Sequence, residues 1–567
     1  LSRRAGIIVD LPSVLKFKLR KTFKRLHIPA AGRQAAAREK QAAETSGSNR
    51  GEIIMQADIS LANWFLQRAL RTPERRALTF EGATLTYGAT QKLIEQYAAR
   101  LAGRGVTAKS RVAFLGQNQP DFLIVLFAAA RLGAIFVPLN FRLTGPEIAF
   151  IVGDCGAEIL VADPAHRPVI EGVRGELKTV RHFLTTQSDI EGWERLDQPA
   201  SDMTPGAFRT APEDVAVIMY TSGTTGRPKG AMLTHGNIWW NNANAMHTID
   251  FEQNDVTLTS APMFHIGGLN VLTLATLQKG GEVVLHRAFD PGRTLAAIKE
   301  HRVTTFFGVP AMFQFMSQHP DFATADLSSL RVAVCGGAPC PEPLLRLYGE
   351  RGVPMQQGYG LTETSPMVSF LAPEFGLSKL GSSGRPPLFT EIRLVDGGGE
   401  TVHEPGAPGE VLVRGPNVMA GYWNRPEDTA AVIDADGWFR TGDIAYLDNE
   451  GFLTICDRSK DMIISGGENV YPAEVESVLF KHPAIAEIAV IGEPHETWGE
   501  CVVAVAALKP GRSLDLEELR AFAGESLARY KLPRRLEIMS ALPRNTVGKV
   551  LKFELRKAIA RALEAAQ

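Results

Sequence analysis

From Ala77 onward the chain alternates short β-branched and aromatic runs with stretches of helical periodicity, and no other feature restricts its fold as much. Residues 111–115 read as a buried strand, 121–132 as a helix closed by Gly133, and 134–137 as the next strand. Residues 144–152 follow as a polar-capped helix and 158–161 as another strand. Strands this apolar, separated by helices, predict parallel sheets covered on both faces. The rhythm returns at 304–308 and 331–335, then gives way around 406–415 to short strands and turns. After Arg458 a mixed pattern begins, with helices over 473–480 and 514–527 and strands over 485–491 and 501–508. The expectation is an α/β protein. Its large N-terminal domain, residues 55–458, holds two α/β sheet subdomains and a β-rich subdomain, and a small α+β domain, residues 459–567, follows.

The 567 residues exceed one ordinary domain, and 45% hydrophobic residues can fill a large core. A formal net charge of −1 supplies no field to attract nucleic acid. The cysteines at 155, 335, 340, 456 and 501 form no C-x-x-C pair, which fits a reducing, cytoplasmic setting. No run reaches the roughly 18 apolar residues of a membrane span.

Residues 1–54 read as a basic, poorly ordered extension, with upstream sequence ahead of a misassigned start as the alternative. Lys16, Lys18, Arg20, Lys21, Lys24 and Arg25 accompany Leu15, Leu19, Phe23 and Leu26 at helical spacing. Such a helix can lie on an anionic membrane surface, so peripheral membrane contact is an expectation for this segment.

The most informative motif is Thr221-Ser-Gly-Thr-Thr-Gly-Arg-Pro-Lys-Gly230, which follows the apolar run 215–219. Glycines at 223 and 226 let successive N–H groups wrap phosphate oxygens. The hydroxyls of Thr221, Ser222, Thr224 and Thr225 add neutral donors, and Lys229 adds a charge for a polyphosphate. It is not the G-x-x-x-x-G-K-[ST] loop, because Pro228 precedes the lysine and no hydroxyl residue follows it.

This loop resembles the phosphate-binding loop of the adenylate-forming superfamily of acyl-CoA ligases, luciferases and peptide adenylation domains. The resemblance runs from about Ala57 to the C-terminus, with the other family motifs in order. In Gln357-Gly-Tyr-Gly-Leu-Thr-Glu363 it implies Gln357, Gly358, Tyr359 and Gly360 at the bound nucleotide, with Tyr359 packed on the adenine, Thr362 at the α-phosphate and Glu363 on magnesium. Gly336, Gly337 and Ala338 resemble the turn beside the adenine. In Trp438-Phe-Arg-Thr-Gly-Asp443 it implies that Asp443 accepts from the ribose, and Arg458 would contact the ribose as well. Lys460 stands at the hinge about which the small domain swings, and Ser465, Gly466 and Gly467 would line the pantetheine tunnel. In Pro543-Arg-Asn-Thr-Val-Gly-Lys549 the lysine would enter the active site and stabilise charge on the α-phosphate during adenylation.

The implied activity is ATP-dependent acyl-CoA ligation with magnesium and coenzyme A. Phe264 and His265 resemble the acyl-site entrance, with His265 a catalytic candidate, and Gly268 leaves room behind it. Residues 307–310, beginning at Phe307, and the pair Val334-Cys335 read as apolar walls. The overall run most resembles bacterial fatty-acyl-CoA ligases, so a medium- or long-chain fatty acid is the first expectation. An aryl acid of the benzoate or cinnamate type, a carrier-protein acceptor and a silent scaffold are the alternatives, and a homo-oligomer stays open.

Overall fold

The computed structural model describes residues 58–186, 191–198, 210–221, 228–458, 461–465, 468–495, 498–544 and 550–566. The expectations for residues 1–54, Ser222, Gly223, Thr224, Thr225, Gly226, Lys460, Gly466, Gly467 and Lys549 concern positions outside the described residues. Asp58 to Gln567 forms one compact unit.

Two large sheets dominate it. One has eight strands in the order Met367–Phe370, Met355–Gly360, Val332–Gly336, Thr305–Gly308, Val256–Thr259, Glu282–Leu285, Arg76–Phe80 and Ala83–Thr86. Its interior pairs are parallel and both edge pairs antiparallel. The other has seven strands in the order Glu194–Arg195, His182–Thr185, Ile159–Ala162, Arg111–Leu115, Ile135–Leu139, Val215–Thr221 and Lys229–Thr234. Only its last pair is antiparallel. The sequence rhythm therefore appears as expected, with parallel strands buried on both faces.

Both sheets share one core. The helices Leu61–Arg71, Tyr87–Ala102 and Pro120–Arg131 cluster with Leu78, Val283 and Leu285 of the first sheet and Val112, Phe114 and Phe136 of the second. Phe122 through Ala130 are all buried, the mark of a helix enclosed on every side. Proline begins this helix, where its missing N–H would have no intrahelical partner. Trp64 meets Phe127 edge-on at 5.3 Å, and Phe65 lies 4.6 Å from Phe127 between ring centroids.

Two smaller sheets follow. Glu391–Val395, Gly409–Arg414, Phe439–Leu447 and Leu453–Arg458 form an antiparallel four-strand sheet, the expected β-rich part. A five-strand sheet contains Ile463–Ser465, Glu468–Val470, Ile485–His495, Gly499–Leu508 and Arg535–Ile538. The helices Pro472–Leu479 and Leu516–Gly524 pack on it. The second is shorter than the sequence reading of 514–527. Asp515 caps it by accepting from the Glu518 amide, which fixes its start.

One sequence reading is corrected. Val334 and Cys335 do not form a common wall, because neighbours in a strand face opposite ways. Val334 packs with Met367 and Phe370, whereas Cys335 packs with Phe306 and Phe313 on the other face.

Candidate nucleotide and acyl site

The site lies where strands of both large sheets end. Val215–Thr221 and Lys229–Thr234 form an antiparallel pair in which Thr221 lies opposite Lys229. Lys229 Nζ lies 2.7 Å from Asp428 and 5.3 Å from the centre of the Tyr422 ring.

Across from it, Met355–Gly360 leads into the short turn Thr362–Thr364. Thr362 and Glu363 are buried. The Glu363 carboxylate accepts from the Tyr422 hydroxyl at 3.0 Å and from the Thr221 hydroxyl at 3.4 Å. Burial, then the adjacent Glu363 carboxylate, raises the Tyr422 phenol well above its ordinary range and keeps it a donor. Glu363 is therefore steered by hydroxyls from two other strands and turns. Gly360 has no alternative here, because a Cβ would stand 1.7 Å from the Pro366 carbonyl oxygen.

The adenine and ribose candidates also converge. Gly336 pairs with Gly358 across adjacent strands, and Gly337 has φ +82°, a conformation that suits glycine. Ala338 continues the turn that leaves this strand. The Tyr359 hydroxyl donates to Asp443 at 2.6 Å, so the proposed adenine and ribose residues touch. Asp443 lies opposite Arg458 in the strand register. Gln357 is placed differently from the expectation of a ligand contact. Its amide oxygen accepts from the Cys340 backbone at 3.0 Å, and its nitrogen donates to the Ser382 carbonyl at 3.1 Å. It braces the turn after Gly336 from within the protein. Ser465 is buried at the end of its strand, where it pairs with Gly499.

Of the acyl candidates, Gly268 and Phe307 line a small cavity of about 10 Å³, together with Gly267, Leu272, Thr257, Thr259 and Thr273. His265 precedes the helix Ile266–Asn270, and its Nδ1 accepts from the Gly267 amide at 3.3 Å. Phe264 meets Phe141 edge-on at 5.3 Å. A Cβ at Gly267 would press on the Phe307 ring at 2.9 Å, and one at Gly268 would strike the Pro262 carbonyl at 2.3 Å. These glycines allow the segment to sit tightly under the cavity as well as leaving space. Val334 lies behind, in the cluster against which Phe307 packs.

Sequence reasoning missed Tyr422, Asp428 and the buried asparagines 241, 270 and 417. The run Asn241-Asn-Ala-Asn-Ala245 was the available signal, because amides this dense in a helix require an explanation.

The donors at Glu363 suit magnesium, which prefers carboxylate and other hard oxygens. Among the described residues no cluster of three or more His, Cys, Asp or Glu could hold a metal by itself. Magnesium here would take its remaining oxygens from phosphates and water. Among the described residues no helix is long and apolar enough to cross a membrane.

Two α/β sheets, a loop–lysine strand pair and a buried carboxylate facing it define a nucleotide-activating enzyme. Residues 65–423 match the AMP-binding enzyme family, and residues 474–549 match the AMP-binding enzyme C-terminal domain. A feruloyl-CoA synthase from an Amycolatopsis species is 44% identical over 497 residues, covering 88% of this chain and 98% of the relative. A long-chain-fatty-acid–CoA ligase, FadD13 of Mycobacterium tuberculosis, is 39% identical over 501 residues, covering 87% and 97%. The solved O-succinylbenzoate coenzyme A synthetase of Bacillus subtilis, in complex with ATP and magnesium ion, is 36% identical with a TM-score of 0.78. That match covers 87% of this chain and 99% of the other. The chain belongs to the AMP-binding enzyme family, within the adenylate-forming superfamily. It is an AMP-forming acid–thiol ligase that uses ATP, magnesium and coenzyme A.

Proposed function

We propose that this enzyme activates an aryl carboxylic acid of the cinnamate or benzoate type and transfers it to coenzyme A. The observation that carries this is the 44% identity to a feruloyl-CoA synthase, which this chain matches over 98% of that relative's length. Three of the residues around the small cavity at Gly267 and Gly268 are threonines. Their hydroxyls are tied to one another and to the second layer. Thr257 bonds Thr276 and Thr305, both at 2.5 Å, and Thr259 bonds Thr273 at 2.8 Å. A long alkyl chain gains about 0.8 kcal/mol per buried CH₂ only against an apolar wall of matching length. These hydroxyls are satisfied within the protein, and the Phe307 ring beside them suits stacking against a flat acid. The fatty-acid ligase, at 39% identity, is the more distant of the two relatives. The sequence reading favoured a fatty acid, and that acid becomes the second reading.

The chemistry proceeds in two parts. The loop 221–226 and Lys229 receive the polyphosphate, which requires Lys229 to leave Asp428. Tyr359 packs on the adenine while its hydroxyl holds Asp443 toward the ribose, joined by Arg458. Thr362 faces the α-phosphate. Magnesium, when bound at Glu363, supplies charge neutralisation for the phosphates. His265 and Phe264 flank the acid, whose carboxylate attacks the α-phosphorus and displaces pyrophosphate. Lys549 enters from the C-terminal domain and stabilises the charge of that step. A rotation about Lys460 then brings Ser465, Gly466 and Gly467 to the pantetheine arm. The thiol attacks the acyl-adenylate, and AMP leaves.

The test is acyl-CoA formation by the purified chain with ATP, magnesium and coenzyme A. Hydroxylated cinnamic acids should give product at rates well above palmitate. Palmitate as the better substrate would overturn the aryl reading. Acyl-adenylate without acyl-CoA from any acid would instead point to a carrier-protein thiol as acceptor.

A further inference from the structure

The segment that carries Thr362 and Glu363 is gripped from behind by three buried asparagines, each from a different part of the chain. Asn417, in the turn after Gly409–Arg414, donates from Nδ2 to the Thr364 and Met367 carbonyls, both at 2.8 Å. Asn270, the last residue of the helix Ile266–Asn270, donates to the Ser365 carbonyl. Asn241, inside the helix His235–Thr248, accepts from the Met367 amide at 3.1 Å and donates to the Asn270 carbonyl at 2.9 Å. None of the three exceeds 1% exposure. Asn417 is itself oriented, because its Oδ1 accepts from the Thr390 hydroxyl at 2.8 Å.

Burying amides this deeply is costly unless each bond is made, so an apolar filler would stabilise as well or better if packing were the only need. What the amides add is direction. A methyl contact tolerates a slide of some tenths of an ångström, whereas a hydrogen bond fixes distance and angle together. None of the three touches the reacting groups' own side chains, and their bonds end on the backbone that carries Glu363.

We infer that Asn241, Asn270 and Asn417 are positioning residues for the nucleotide step. They fix residues 364–367 so that the Glu363 carboxylate and Thr362 hydroxyl meet magnesium–ATP already aligned. This rests on the reading of Glu363 as the metal-facing carboxylate. Asn270 has a second effect. It belongs to the helix that contains Gly267 and the acyl candidate Gly268, so its bond to Ser365 ties the acid site to the nucleotide loop. Asn417→Ala should therefore raise the KM for magnesium–ATP alone, whereas Asn270→Ala should raise that of the acid as well.

The test is magnesium–ATP binding by calorimetry, without acid, paired with hydrogen exchange at the Met367 amide. Asn242→Ala is the control, since Asn242 is buried on the same helix but donates to Gln278 at 2.8 Å, away from the loop. Asn417→Ala and Asn270→Ala should each weaken binding about 10-fold or more, as loss of an outer partner does at metal sites, and should speed Met367 exchange. Asn242→Ala should do neither. If an alanine variant does not fold, isosteric Asn417→Asp replaces the donor and should show the same loss of affinity. Undiminished affinity in the asparagine variants, with Glu363→Gln impaired, overturns the positioning role and leaves the site intact. An unimpaired Glu363→Gln overturns the reading of the site itself. An equal loss in Asn242→Ala means general loosening and also overturns the proposal.

Discussion

The helix Pro120–Arg131 and the segment 362–367 both lie in the interior, yet they are held in opposite ways. The helix is apolar from Phe122 to Ala130 and satisfies its backbone internally, so its neighbours need only fill space. The segment 362–367 has short, irregular backbone; Asn270 and Asn417 answer its carbonyls and Asn241 accepts from its Met367 amide. The first arrangement supplies stability through many interchangeable contacts. The second supplies a position, through a few contacts that have no substitute. Mutations in the two regions should therefore separate: one kind lowers melting temperature with little change per folded molecule, and the other lowers turnover with little change in melting.

The largest effect is expected in the apolar region. Phe127→Ala removes the ring that meets both Trp64 and Phe65, and should cost about 3–5 kcal/mol of stability, read by denaturant melting. KM for ATP in the folded fraction should not move. Glu363→Gln should behave oppositely, with kcat/KM for pyrophosphate release down about 100-fold or more and the melting midpoint unchanged. Equal melting losses in both variants would erase the distinction.

A third effect is set by pH. His235 is buried beside the chain entry, and its Nδ1 accepts from the Leu61 amide at 3.2 Å. Burial lowers its pKa to about 4 from 6.5. Because the folded value lies below the unfolded one, its contribution is complete above pH 6.5 and is lost as pH falls toward 4. The loss is about 3 kcal/mol at its limit. His235→Gln should flatten that part of the stability–pH curve, and an unchanged slope would contradict the assignment. The smallest effect belongs to the exposed pair Lys481–Glu342 at 2.7 Å, where Lys481→Ala should change stability by less than about 1 kcal/mol.

The same contrast explains what could be read in the sequence. Residues 111–115 and 134–137 were legible as strands because full burial writes a continuous apolar run. Thr221, Lys229, Tyr359, Glu363 and Asp443 stood out because each sits in a motif of distinctive residue types; in the structure Thr221 touches Glu363 and pairs with Lys229, and Tyr359 touches Asp443. The asparagine grip was not legible. A buried amide on a helix has the same letters as a solvated one, and Asn241 and Asn417 are separated by some 180 residues of chain. The pairing of Val334 with Cys335 failed for a simpler reason, since adjacent strand residues face apart. Gln357 sat in a ligand motif but turned inward to Cys340 and Ser382, which no spacing rule anticipates.

The most direct test of the account is a competition. A hydroxycinnamic acid and palmitate, at equal concentration with limiting coenzyme A, are offered to the enzyme together, and the two acyl-CoA products are weighed by mass spectrometry. Their initial ratio equals the ratio of the two kcat/KM values. The aryl reading predicts an excess of the aryl thioester. An excess of palmitoyl-CoA would contradict it.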